Sequence, residues 1–528
     1  MYLLAPIVNK PLNLGILPRL KKPLFLIFFL FASVLSAQTG NSKVTVEKGK
    51  QITIKNGDKA HASRSSGRTR IIGNVIFEHE GALMYCDSAW LFSADNRIQA
   101  FQNVKINQGD TIFLWGDYLE YSGNTKLAKV TGKVVRLKDP KMELVTDRID
   151  YDRNTNLAYY FTGGVITNDE NKLTSQKGYY DSKAKVFNFK DSVVLVNPKY
   201  TIESDTLIYN SVSRVSYFNG KTTITSDSSF IYCENGRYNT VTDIAQFKKN
   251  AYLYNENKYL TGDSLYYEKH TEFGEAFGNV LVHDTVDDYM ITGGYGQFTG
   301  AKDSTFVTLD PIYSVKQEQD TLHIHGDTLF STKVKDTLIG EYRLVKVFHK
   351  VKFFKKDLQG KCDSLVYAEK DSIIRMYRDP IVWNDSSQVT GDTIYMTIRS
   401  EKLDSLKVYS NAFIIGKVDA SKSNQIKGRN MFGKFSDNKL SRVYVSGNGQ
   451  TIYFPKDDQK KFIGMNRAIC SNILMKLKDS QVKSITFLTK PEAKLYPISE
   501  SAGENGTLEG FTPRFTERPK SKDEILIW

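Results

Sequence analysis

After residue 40 this chain has no long apolar run and no sustained helical spacing of apolar positions. Membrane helices need roughly 20 consecutive apolar residues, so none is expected there, and neither are helical bundles. Cysteine is scarce, with four in 528 residues, and histidine (seven) and proline (13) are sparse. His323 and His325 alternate on a strand and are able to face one ion, but no third ligand accompanies them, and ordinary strand histidines explain them as well. No G-x-S-x-G elbow, phosphate loop or H-E-x-x-H sequence occurs. These absences point away from an enzyme, and no cofactor or metal site is expected.

The N-terminus carries Lys21 and Lys22, an apolar stretch over 24–35, then Ser36 and Ala37. That order is the pattern of a secretory signal, so residues 1–37 are expected to be removed. They hold four basic residues (Lys10, Arg19, Lys21, Lys22) and no acidic one, so the formal charge falls from +13 to +9. A moderately basic exported protein favours anionic partners, although solubility alone also explains the balance. Nothing resembles a nucleic-acid motif.

The strongest signal is a repeat. Short aromatic strands led by an acidic residue recur at Asp87, Asp117, Asp147, Asp205, Glu234, Asp263, Asp327, Asp363 and Asp392. Gln176, Gly294, Gly428 and Asn466 lead degenerate copies. The period is 29–31 residues up to residue 294 and 29–38 beyond it. A fixed period of that size marks a stacked array whose units bury their apolar faces against neighbours. Val, Ile, Thr, Tyr and Phe in short runs bounded by Gly, Asn and Asp make the array all-β. Each repeat reads as three or four short strands. One layer of about 4.8 Å per repeat would give a stack on the order of 60 Å long.

Within the leading strands, alternate residues share a face. This pairs Leu119 with Tyr121, Ile149 with Tyr151, Leu207 with Tyr209, Leu265 with Tyr267, and Leu365 with Tyr367. The resulting ladder is either a closed core or the lining of a groove open to lipid. The acidic column suggests calcium sites or glycosidase pairs, but carboxylates at turns more often cap backbone N–H groups. Cys86, Cys233 and Cys362 each precede an acidic leader, four or five repeats apart. A disulfide needs Cα atoms within about 7 Å, so buried free thiols are expected. Residues 38–70 read as a lead-in with first strands, 71–310 as regular repeats, 311–498 as divergent repeats with longer loops, and 499–528 as a tail or cap.

Gly73-Asn74-Val75, Gly278-Asn279-Val280 and the Asp-x-Leu-x-Tyr strands resemble the OstA-like family over about 45–490. That family is related to the periplasmic lipopolysaccharide-transport bridge LptA and the N-terminal domain of LptD. The resemblance implies an elongated, open, V-shaped β-jellyroll that carries acyl chains inside, with protomers joined end to end through strand edges. It further implies a periplasmic location, in association with the outer membrane, and lipopolysaccharide or a related anionic glycolipid as ligand. Leu119, Tyr121, Ile149, Tyr151, Leu207, Tyr209, Leu265 and Tyr267 are then the expected lipid lining. The alternatives are a closed β-helix that binds or cleaves glycans, and a structural surface protein.

Overall fold

The computed structural model describes residues 50–528 except 64–66, 110–111, 141, 169, 228, 256, 287, 301–302, 318–319, 385, 401, 437–438 and 479–480. The expected signal segment lies outside these residues. All 36 strands of the described chain belong to one antiparallel sheet, in which nearly every strand pairs with the next in sequence. Most repeats are therefore hairpins of two strands of about a dozen residues, such as Arg97–Gln108 and Ile112–Ser122. What sequence reads as three or four short strands is in most repeats two long ones, each bent in the middle, while over 157–181, 304–336 and 373–399 the four short strands are separate, as expected. Every repeat advances the sheet by two strand spacings, about 9.6 Å, twice the expectation from sequence.

The bend arises from an aligned row of β-bulges. Between Phe101↔Tyr118 and Val104↔Gly116 the register shifts, leaving Gln102 and Asn103 opposite Asp117 alone. Two residues against one is the geometry that turns a strand and sharpens its twist. Gln102 and Asn103 both adopt positive φ, as do Gly73–Asn74, Asp191–Ser192, Lys249–Asn250, Gly278–Asn279 and Ser410–Asn411. The acidic leader sits on the neighbouring strand and closes the corner. Asn103 Nδ2 donates to Asp87 (2.8 Å), Asn279 Nδ2 to Asp263 (3.0 Å), and the Lys133 and Lys221 amides to Asp117 (2.8 Å) and Asp205 (2.9 Å). A Cβ on Gly278 would fall 2.1 Å from the Asp263 carboxylate, and φ there is +65°. Glycine suits this corner because its Asp263 carboxylate presses closest, whereas Gln102, Lys249 and Ser410 adopt the same positive φ at other corners.

The corners correct two leaders and add one. Asp58 opens a further copy at the first edge, where Asn74 donates to it. In the last two copies the unpaired corner residues are Arg429 and Ser471, where sequence points to Gly428 and Asn466. Cys470 thereby joins Cys86, Cys233 and Cys362 in the column before the corner, and all four are buried free thiols. Burial pushes the Cys86 and Cys233 thiols up to about 11.

The row of bends folds the sheet into two leaves. The first leaf holds the strand halves before each acidic corner, the second the halves after it. Leu114 and Leu119, on either side of one corner, lie in the same buried cluster, so the core is the space between the leaves.

Residues 497–528 run back over the outer face of the first leaf. Three buried glutamines anchor this strap, two through its backbone and one through a side chain. Gln425 bonds Leu508 N and Gly506 O (both 2.8 Å), and Gln388 bonds Arg514 N (2.7 Å) and Thr512 O (2.9 Å). Gln359 takes a bond from Arg518 Nε at 2.7 Å. Phe413, Ile415, Phe454 and Leu508 pack into a separate core beneath the strap. Trp383, beside Gln359 on the same outer face, is fully buried. Glu517 is gripped by Arg514 (2.5 and 2.7 Å) and Lys361 (2.7 Å), and Arg514 also pairs with Asp379. The bond to Arg514, outweighing partial burial, holds the Glu517 carboxyl down at about 2.

Two outcomes follow from these contacts. Asp263→Ala should loosen its corner by at most about 1 kcal/mol. Adding Asn279→Ala should cost little more, since both changes delete one interaction. Hydrogen exchange of the amides in Lys258–Glu268 and Phe273–Asp284 measures this, and additive losses would refute the pairing. The depressed Glu517 carboxyl stabilises the strap fully above its ordinary value of 4.5 and loses that contribution as pH falls through about 2. Acid titration of Trp528 fluorescence should show strap release in that window, and Glu517→Gln should abolish the dependence.

Candidate functional site

The inner faces of the two leaves are mostly apolar along the sheet, with buried polar side chains such as Ser175 and the Ser204–Thr222 pair bonded to neighbours beside the corners. All eight expected lining residues are on the second leaf. Leu119, Ile149, Leu207 and Leu265, next to the corner, are 0%, 1%, 2% and 5% exposed. Their tyrosine partners lie farther out, toward the mouth where the leaf ends face each other. Tyr121 is buried, Tyr151 and Tyr209 are half-buried, and Tyr267 is 37% exposed. The structure therefore brings these residues into one row but grades them from core to rim.

Reading the leading strands alone misses the opposite wall. On the first leaf Met84, Leu114, Leu144 and Ile202 are buried and Ile231 and Leu260 half-buried, all facing inward. Each stands three residues before its acidic leader. That recurring apolar position is the signal that finds them.

Near the first edge the mouth is closed. Glu80, in a first-leaf turn, pairs with Lys126, in a second-leaf turn, at 2.8 Å. Arg153, also in a second-leaf turn, donates to the carbonyls of His79 and Glu80 (both 3.1 Å) and to the Tyr121 hydroxyl (3.0 Å). Buried His79 meets the same hydroxyl through Nδ1 at 2.6 Å and the Lys50 carbonyl through Nε2 at 2.7 Å. Burial raises the Tyr121 hydroxyl against the opposing pull of Arg153, and the bond from Lys126 lowers Glu80. Under this bridge lies an apolar cavity of about 40 Å³, lined from both leaves by Met84, Ile112, Leu114, Tyr121, Tyr151 and Tyr180. A water needs roughly 10–15 Å³ of such volume, so the cavity admits a few waters and is too small for an acyl chain without leaf movement.

A second bridge crosses the mouth farther along. Lys258, at a first-leaf end, meets Asp303 in a second-leaf turn at 2.5 Å, and Arg343 joins Asp303 at 3.1 Å. The Arg343 guanidinium lies 5.3 Å from the ring of Tyr289 on the first leaf. Partial burial pushes the Asp303 carboxyl up, but Lys258 and Arg343 outweigh it and hold it low. Between the bridges the filling is thinner. Tyr200, Ile224, Ile231, Tyr238, Leu253 and Leu260 are only partly buried. Beyond the second bridge one packed cluster runs from Val282 to Met475. Among the described residues no group of three or more His, Cys, Asp or Glu side chains is placed to hold a metal.

Tyr121→Phe removes the hydroxyl shared by His79 and Arg153 and leaves buried donors unpaired, at a cost of about 1–3 kcal/mol. Faster hydrogen exchange in Arg68–His79 is the expected signature, and wild-type protection there would show that the bridge carries no load.

Residues 41–205 match the family described as OstA-like protein. Residues 314–402 match the family described as LptA/(LptD N-terminal domain) LPS transport protein. No curated protein matches the chain. The two matched stretches fall on the same sheet, on either side of its thinly filled middle, so over residues 41–205 the chain is similar to OstA-like proteins and over 314–402 to the LptA and LptD N-terminal domain family of lipopolysaccharide transport.

Proposed function

We propose that this protein binds the acyl chains of lipopolysaccharide, or of a related anionic glycolipid, between its leaves and carries them through the periplasm toward the outer membrane. One observation supports this above the rest: two apolar walls face each other along a single uninterrupted sheet. Burying a methylene is worth about 0.8 kcal/mol. A twelve-carbon chain would thus forfeit about 10 kcal/mol on entering water, whereas passage along a continuous apolar lining costs little at each step. Leu119, Tyr121, Ile149, Tyr151, Leu207, Tyr209, Leu265 and Tyr267 form the second-leaf wall of this path. End-to-end pairing with other transport proteins through the terminal strands completes the reading. The same reading has no catalytic step.

A photoreactive residue at Tyr209 should capture lipopolysaccharide in cells, while one at outward-facing Tyr217 should not. Depleting the protein should lower surface lipopolysaccharide. Equal labelling at both positions, or an unchanged surface, would defeat the proposal.

A second reading rests on the outer face of the first leaf. Phe230, Tyr232, Tyr252 and Tyr259 stack there at ring separations of 5.2–5.8 Å. Such a row suits sugar rings, and retention on immobilised glycan that is lost in Tyr252→Ala would favour a glycan-binding surface protein.

A further inference from the structure

The bridges divide the mouth unequally. Glu80–Lys126 and Arg153 span it near the first edge, and Lys258–Asp303–Arg343 span it near residues 258–343. Among the described residues between Phe187 and Leu253, the rim hydrogen bond of Tyr238 to Asp243 stays within the second leaf, and first-leaf Tyr200, whose hydroxyl is raised by burial and by the nearby Asp243 charge, meets that leaf without a bond. In the same stretch inner residues near the corner stay buried, as Phe189, Leu207 and Phe218 do, while those near the mouth are partly uncovered. Small inner residues stand at both heights, Gly236 and Ala251 beside the corner and Ala245 toward the mouth opposite Tyr238, and leave less side-chain volume to fill the space. The gap lies mostly between the two family-matched stretches.

We infer that residues 187–253 form a lateral window through which a single-file acyl chain enters or leaves the space between the leaves, and that the flanking bridges are clasps that must part before the chain moves lengthwise. This rests on the carrier reading and adds the place of entry to it. Two features suit the role. Leaf ends without cross-links separate at little cost, whereas parting a clasp strips partly buried ion pairs of their partners. The rim also supplies Tyr200, Tyr209 and Tyr238, whose rings are apolar toward the interior and whose hydroxyls tolerate water.

The test uses the full-length protein with purified lipopolysaccharide and a photoreactive residue placed in turn at Tyr200 or Leu253, in the window, and at Ile112, under the first clasp. Several-fold more adduct is expected at the window positions. Lys126→Ala combined with Arg153→Ala should raise capture at Ile112 while leaving Tyr200 unchanged, with circular dichroism confirming the fold. Should the clasp variant unfold, Asp303→Asn with the photoreactive residue at Tyr289 poses the same question at the second clasp. Equal capture at Ile112 and Tyr200 in the unaltered protein, or no gain on loosening either clasp, overturns the window but leaves the carrier. Absence of adduct at every inner position overturns the carrier reading itself.

Discussion

Everything in this molecule depends on one corner, repeated: a bulge of left-handed residues on one strand facing a single residue on the next, at most corners a carboxylate. A flat sheet of this many strands would expose one apolar face. The aligned bulges bend every strand at the same height, so the sheet closes on itself and one face becomes core. The carboxylates make this affordable in hydrogen bonds, because a bulge breaks the ladder and leaves amides unpaired. Asp117 and Asp205 accept from the amides that follow the glycine at the corner, while Asp87 and Asp263 accept from its asparagine side chain. The acidic column is thus a structural seam, and its regularity reflects the need to bend each strand at the same place.

The corner also explains what sequence revealed and what it concealed. The period, the all-β character, the buried thiols and the Leu-x-Tyr ladder are properties of single strands, and alternation exposes them directly. The bend is different. Leu114 and Leu119 are five residues apart, which on a straight strand puts them on opposite faces, yet both point inward because the unpaired Asp117 lies between them. Parity therefore fails across every corner, and the first-leaf wall escapes a strand-by-strand reading. Register was lost at Asn466 for a related reason: the true corner residue, Ser471, has no acid to mark it, and an eleven-residue connection between Tyr453 and Met465 stretches the period. The strap was illegible because its anchors, Gln359, Gln388 and Gln425, sit on outward positions where glutamine looks like ordinary surface.

The interior serves two demands that oppose each other. Packing supplies stability, but a carrier needs space, and the chain allots them to different stretches. Beyond residue 282 large side chains such as Phe353, Met376 and Met431 fill the gap, and the strap adds a second core on the outside. Between 233 and 280 the buried inner residues are Cys233, Ala245, Phe247, Ala251, Leu265, Ala276 and Val280, of which only two or three are bulky. Large apolar residues in this stretch stand at the rim, partly uncovered, at an energetic cost that a purely structural array has no reason to bear.

The strap bears on how such an array ends. It lies over a leaf and leaves the terminal strand alone: Glu492–Tyr496 pairs with Met465–Lys478 on one side and is exposed throughout most of its length, and at the other end Thr53–Asn56 and Lys59–Ser63 are wholly exposed. Bare edges invite pairing with another chain. Neither edge has a clear excess of one charge: Glu492–Tyr496 holds Glu492 beside Lys494, and Lys55 of Thr53–Asn56 is already paired with Glu78 at 2.5 Å. The bent profile is the stronger constraint: a strand added at either edge continues the ladder over its whole length only if it carries a corner at the same height.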